Sequence, residues 1–373
     1  RRPARPRGRQ WVPTAPRSWA STAHATSVSN MDHDRISVAT FNLYNFQLPG
    51  LAMNPNQKPW TKEEFGKKVS WVARMLDTID PDIVGLQELW HAEAMETVLA
   101  RAALRDRYDL LAKPADGSKI VCAALVRKGL LRGTPKWIST FPKAVRLDSK
   151  DGLDPQSPGI SVHIPGFSRP VLHFQVALRD DPPRTEVFVA HLKSKLPTQV
   201  NGEDWYDADP ALYRDHRNAL GGAISTIRRT AEATALRVLL TEEMKGSDTP
   251  VLVLGDLNDG QHSNTINILT EQPNYLVGES LGGADIGLYT AQTLQEYRDT
   301  RDVYYTHVHQ DLRESLDHVL VSEQFYDHSR RRMWLFDGLV INNDHLNEED
   351  HREAGTGDHG VVKVSFRWKP FIS

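Results

Sequence analysis

Val251-Leu252-Val253-Leu254-Gly255-Asp256-Leu257-Asn258-Asp259 is an apolar run of strand length that stops on an acid, with an asparagine two residues later. Its length and apolar content suit a buried strand. Five further stretches follow the same plan. Residues 36–41 run into Asn42, residues 82–87 into Glu88, and residues 187–190 into His191. Leu316-Asp317-His318-Val319-Leu320-Val321 and Gly357-Asp358-His359-Gly360-Val361-Val362 put the acid ahead of the apolar part. Each run has the β-branched content of a buried strand, so the polar residues are expected to converge at one sheet edge, where sites commonly form.

The set is chemically coherent. A hard divalent cation takes oxygen ligands and keeps several waters, so one or two carboxylates such as Glu88 and Asp358 suffice to hold it. Hydrolysis of a phosphodiester also needs a base for the attacking water and donors on the phosphate. His359, His191 and Asn258 are of the right type.

Together, Asn42, Gln87-Glu88, His191-Leu192-Lys193-Ser194-Lys195, Gly255-Asp256-Leu257-Asn258-Asp259, Leu316-Asp317-His318-Val319-Leu320-Val321-Ser322 and Gly357-Asp358-His359 resemble the motifs of the endonuclease/exonuclease/phosphatase superfamily. They stand in that family's order and span residues 36 to about 366. The resemblance implies an α/β fold, a four-layer α/β/β/α sandwich with two packed mixed β-sheets. It makes Glu88 the principal metal ligand, with Asn42 in its shell and Asp358 as a second metal-associated acid, for Mg²⁺ or Mn²⁺. It gives catalytic roles to His191, Asp256, Asn258, Asp317 and His359: Asp256 and Asn258 position water and contact the phosphate, and His191 donates to the developing charge. His359 is the general base, its tautomer fixed by Asp317. Many relatives carry an arginine two residues before the acid matching Asp317. This chain has Ser315 there, so the phosphate contact or brace that the arginine supplies in those relatives is not expected from this position, while the acid itself is unaffected.

Lys193 and Lys195 follow His191 at alternate positions and share one side if the strand continues. They then steer a polyanion towards the metal, the plainer alternative being solvated surface. His307 and His309 lack a third ligand at zinc spacing and read as decoys, as do His345 and His351 in a polar loop. His318 is expected on the opposite face of the strand from Asp317.

Bulk properties narrow the partners. Residues 1–30 hold six arginines and no acid, so they move the formal charge from −9 for residues 31–373 to −3 for the whole chain. This segment reads as a disordered, proline-rich basic extension or tag, with a nucleic-acid-binding arm as the functional alternative. Residues 31–373 read as a single catalytic domain, since any boundary would split the motifs. An acidic body disfavours tight non-specific binding to duplex DNA, although a local basic rim and a bound cation can dominate a site. Cys122 is the only cysteine, which excludes an internal disulfide. No apolar stretch approaches a membrane span, so no stable membrane association is expected, and the default compartment is the cytoplasm. No obligate protein partner is called for.

Along the chain, Thr61 and Glu64 form a capping box for a helix running to Pro81, and a second helix is expected over about 91–104. Residues 142–170 and 197–209 read as loops. A long helix follows over 210–245, with an interruption expected at Gly221-Gly222 and its arginines on solvated surface. Residues 342–357 read as a mobile loop able to act as a lid.

These readings lead to a metal-dependent phosphodiesterase, foremost a nuclease acting on DNA or RNA. The runner-up is a sphingomyelinase-like lipid phosphodiesterase with Trp205 and Tyr206 on its rim. A catalytically silent binding relative is disfavoured, because convergent buried polar groups are costly to keep without a use.

Overall fold

The computed structural model describes residues 34–54, 57–101, 103–113, 117–151, 156–181, 183–271, 286–302 and 304–372. The expectation for residues 1–30 lies outside them.

All six apolar runs become strands, distributed over two six-stranded sheets. In the first sheet, Arg35–Phe46 lies parallel to Ile83–Leu89 and antiparallel to Val361–Trp368. Val121–Arg127, Tyr108–Leu111 and Trp334–Asn342 complete it. The second sheet repeats the arrangement, with Thr185–His191 parallel to Val251–Asp256 and Asp317–Val321 antiparallel beside it. Gly166–Val176, Leu131–Thr140 and Tyr289–Thr290 are its remaining strands. This topology accounts for the two kinds of sequence run. Strands heading towards the site carry their functional residue at the C-terminal end, and the antiparallel neighbours carry theirs at the start.

The sheets pack face to face. At Gly85 an added Cβ would stand 2.8 Å from Leu254 Cβ and 3.1 Å from Val189 Cγ1, so a side chain at this position would push the layers apart. Alternate residues point outwards. Ala39, Phe41, Val84 and Leu86 pack with Val69, Val72 and Leu76 of the Lys62–Ile79 helix and Met95 and Val98 of the Ala92–Arg101 helix. On the other side Phe188, Ala190, Val251 and Val253 pack with Ala233, Leu236 and Leu240 of the Arg217–Met244 helix. Four layers, α/β/β/α, result. No described helix is long and apolar enough to cross a membrane.

The capping box forms as expected, with Thr61 Oγ1 accepting from Glu64 N and Glu64 Oε2 accepting from Thr61 N. Several local expectations change. The stretch read as a loop over 197–209 holds a short helix, Asp204–Ala208, and the long helix begins at Arg217 rather than Pro210, after a helical turn, Pro210–Tyr213, and a 3₁₀ turn, Arg214–His216. The helix of residues 217–244 is unbroken at Gly221-Gly222, because the chain at Thr198 packs against Gly221 so closely that its carbonyl occupies the place of a Cβ. Two of this helix's arginines are buried ties: Arg229 reaches Lys193 O and Asp259, and Arg237 reaches Leu269 O. Residues 342–357 hold a 3₁₀ turn, Asp344–Asn347, and a short helix, His351–Ala354, rather than a free lid. His345 Nε2 donates to His359 O at 2.7 Å, and Arg352 donates to Lys58 O, Pro59 O and Glu64.

Candidate active site

Asp256 is the hub of the site. It ends its strand in register with His191 on one side and Asp317 on the other. Its Oδ2 accepts from Asn42 Nδ2 of the opposite sheet at 3.0 Å, and it lies 3.5 Å from His191 Nε2 and 3.8 Å from His359 Nε2. Its Oδ1 accepts from Asn258 N at 3.0 Å, closing the turn, and Asn258 Nδ2 donates to Leu192 O. Burial pushes the Asp256 carboxyl up to about 7; Asp317 and Glu88 add to this, while His359 and the Asn42 hydrogen bond oppose it.

His359 Nδ1 donates to Asp317 Oδ2 at 2.8 Å, leaving Nε2 aimed at Asp256. Burial alone would lower this ring's pKa, but Asp317, Asp256 and Asp358 carry it well above the usual imidazole range. The dyad is fixed by a residue without a sequence signature, Thr306. Its Oγ1 accepts from Leu316 N and Asp317 N, and its carbonyl accepts from Gly360 N. His191 is the opposite case: burial, then Arg169, His359 and Lys193, keep it well below the usual range and therefore neutral.

Glu88 emerges where two strand irregularities meet, one between Asn42 and Phe46 and one between Leu86 and Leu89. Tyr44, Asn45, Glu88 and Asn258 all adopt positive φ (54°, 49°, 62° and 55°). Such conformations are costly for non-glycine residues and cluster at working sites. Asn45 N donates to Glu88 Oε2 at 2.8 Å, and Oε1 lies 4.0 Å from His191 Nε2. Burial raises the Glu88 pKa, and Asp358 raises it further. Two half-buried carboxylates that repel each other and offer oxygen donors suit a hard divalent cation, which needs few protein ligands.

The predicted metal set is looser than the sequence suggests. Asn42 does not bond Glu88; its Oδ1 accepts from Tyr44 N while its Nδ2 spans the sheets. Among the described residues the compact donor groups are His307, Asp358 and His359, and Asp256, Asp317 and His359. His307, read as a decoy, thus stands at the site, its ring centroid 4.8 Å from that of His359. His318 points away from Asp317's face as expected and donates from Nε2 to Asp259 O.

The two lysines are otherwise engaged. The strand stops at His191, so they do not share a face. Lys193 Nζ folds back onto Leu196 O, and Lys195 Nζ pairs with Glu314 Oε1 at 2.6 Å and Asp259 Oδ1 at 3.5 Å. A cation whose charge reaches the site is Arg169, from a stretch read as loop that is the start of the Gly166–Val176 strand. Its Nη1 donates to Leu192 O, and its charge bears on both Glu88 and His191. Glu232 holds this wall by accepting from Ser168 N and Lys193 N. At Ser315, where many relatives have arginine, Gln292 Nε2 donates to Ser315 Oγ and Asp317 O.

The sequence profile of the Endonuclease/Exonuclease/phosphatase family matches residues 39–359, from the first strand to the dyad histidine. The chain belongs to this family. Its activities are hydrolytic, nuclease or phosphatase, and its members generally depend on a divalent metal. No curated protein matches the sequence closely. Among solved structures, a humanized D. rerio TDP2 superposes with a TM-score of 0.51 at 14% identity, covering 90% of this chain and 100% of its own. The human Nocturnin catalytic domain with bound sulfate gives 0.52 at 13%, covering 90% and 95%. The Bacteroides thetaiotaomicron mannosyl-6-phosphatase Bt3783 gives 0.51 at 15%, covering 89% and 100%. At these identities the likeness is one of fold.

Proposed function

We propose that the protein is a divalent-metal-dependent phosphodiesterase that cleaves nucleic-acid phosphodiester bonds by in-line attack of water. The observation that carries this reading is the convergence of Asn42, His191 and His359 on one oxygen of Asp256, beside the half-buried Glu88. Glu88, with Asp358 and Asn42 in support, would hold Mg²⁺ or Mn²⁺, and the ion would supply Lewis-acid polarisation of the phosphate. His191, neutral, donates from Nε2 to a phosphoryl oxygen. Arg169 pairs with the phosphate charge in place of the arginine missing at position 315. Asp256 and Asn258 orient the water. His359 Nε2 accepts its proton, and Asp317 stabilises the resulting imidazolium. In the metal-free protein the carboxylates around His359 favour its protonated form, so its use as a base depends on offsetting their charge.

A nucleic-acid substrate is favoured because the D. rerio TDP2 fold relative is also solved with a single-strand DNA product. The lipid reading has one observation of its own: Leu196, Leu212 and Trp205 are 73%, 58% and 39% exposed on the segment after His191. A substrate panel with Mg²⁺ or Mn²⁺ distinguishes the readings: single- and double-stranded DNA, RNA, bis-p-nitrophenyl phosphate, mannose 6-phosphate and sphingomyelin vesicles. The proposal expects turnover of a polynucleotide and of the small diester. Turnover confined to the monoester or to sphingomyelin would contradict it.

A further inference from the structure

The Lys62–Ile79 helix buries a lysine completely. Lys68 is 0% exposed, although its neighbours Lys62 and Lys67 reach solvent. Its Nζ donates to Thr356 O at 2.7 Å, the one hydrogen bond it makes among the described residues. The ammonium lies 4.7 Å from the ring centroid of Trp71 and 5.5 Å from that of Tyr44. Aromatic faces attract a cation but do not repay the loss of its hydration. A lysine that only filled space would be better replaced by methionine, so the charge needs a reason.

The reason lies one residue further along the chain. A Cβ added at Gly357 would stand 3.5 Å from Lys68 Nζ, which sets the ammonium against the backbone that leads into Asp358. Burial pushes the Lys68 pKa down to about 7, and the two groups that pull it back up are Asp358 and Glu88. The same two carboxylates repel each other across the site. Tyr44, in contact with the ammonium, feels both of them as well. A cation is thus built in behind the acids from a helix that supplies no other group to the site.

We propose that Lys68 is the internal counter-cation of the Glu88 and Asp358 carboxylates, balancing their charge when no divalent ion is bound and limiting how tightly one binds. The inference rests on the reading of these acids as the metal site. It assigns Lys68 no contact with substrate. Its effect is electrostatic, carried through the protein interior, where charges a few ångströms apart interact far more strongly than in water.

The test is run at about pH 6, below the Lys68 pKa, so that the ammonium carries its charge, and uses the full chain stripped with chelator and titrated calorimetrically with Mn²⁺, alongside thermal melts with and without the ion. Lys68→Met keeps the length and apolar stem and removes the charge. The proposal expects metal-free Lys68→Met to melt below metal-free wild type and Mn²⁺ to close most of that gap. It also expects Mn²⁺ to bind the variant at least about tenfold more tightly, because a repelling charge has gone. Unchanged or weaker Mn²⁺ binding, in a protein where Glu88→Gln abolishes binding, would overturn the counter-cation and leave the metal reading standing. Wild type and Glu88→Gln titrating alike would overturn both. If Lys68→Met does not fold, Lys68→Met combined with Asp358→Asn decides: recovery of a folded protein supports charge balance, and continued failure to fold makes Lys68 a packing residue and ends the proposal.

Discussion

Asn42 Nδ2 donates to Asp256 Oδ2 at 3.0 Å across the interface between the two sheets. Asn42 is fully buried and its other amide atom accepts from Tyr44 N, so one side chain ties the hub of the second sheet to the left-handed bulge of the first. Removing it should loosen the site as well as the fold. Asn42→Ala leaves a buried carboxylate oxygen and the Tyr44 N–H without their partner, at a cost of about 1–3 kcal/mol. Chemical denaturation measures the stability loss, and hydrolysis of a small diester should fall more steeply than stability does. Unchanged turnover in a folded Asn42→Ala protein would show that the tie does not organise the site.

The buried Asp256 carboxyl makes a pH-dependent contribution in the metal-free protein. Its folded pKa, raised to about 7, exceeds the unfolded value, so between about 4 and 7 the folded state holds a proton that the unfolded chain releases. The stability it contributes is therefore present below about 4 and is lost as pH rises through about 7. Thermal melts of metal-free wild type and Asp256→Asn isolate this term. Relative to the variant, the wild type should lose stability steadily from pH 4 to 7. A difference that is flat with pH would mean that the carboxylate is not held in a desolvated, crowded environment.

Arg169 should act on substrate binding. Its charge reaches Glu88 and His191, and its backbone is held by the Glu232 clamp on Ser168 N. Arg169→Met should lower kcat/KM on diesters by roughly tenfold to a hundredfold, the scale of one charged hydrogen bond, with a large part in KM. Arg169→Lys should recover part of the loss. A variant with unaltered kinetics would assign the phosphate to other groups.

Asp317 and His359 should behave as one unit, given the 2.8 Å bond from Nδ1 to Oδ2. His359→Ala is expected to lower turnover by about 10²–10⁴ and Asp317→Asn to approach that loss through the wrong tautomer. The double variant should be little worse than the worse single one. Losses that multiply would separate the two roles.

Much of this was legible in the sequence because five of the six site strands are buried along almost their whole length, as in residues 251–256, whereas Val361–Trp368 is buried mainly at alternate residues. Sheet direction then fixed whether the functional residue stood at the end or the start. Other features depended on contacts between distant segments. Arg169 follows a stretch rich in turn formers and enters its strand unannounced, and Thr306 acts through its hydroxyl and carbonyl on three backbone amides. The expectation that Lys193 and Lys195 share a face required the strand to continue, but it ends at His191 and acids claim Lys195. Gly221-Gly222 looked like a break because helix propensity is local, whereas the close approach of Thr198 is tertiary.

The central claim is that this site hydrolyses phosphodiesters with a divalent ion held at Glu88, and its most direct test is hydrolysis of bis-p-nitrophenyl phosphate by chelator-stripped wild type and Glu88→Gln as Mg²⁺ or Mn²⁺ is added. Wild type should be silent in chelator and recover turnover on addition of either ion. Glu88→Gln should remain silent, while melting no lower than wild type in chelator because it loses a half-buried carboxylate that Asp358 repels. Equal hydrolysis in excess chelator, or metal-restored activity in Glu88→Gln matching wild type, would contradict the account.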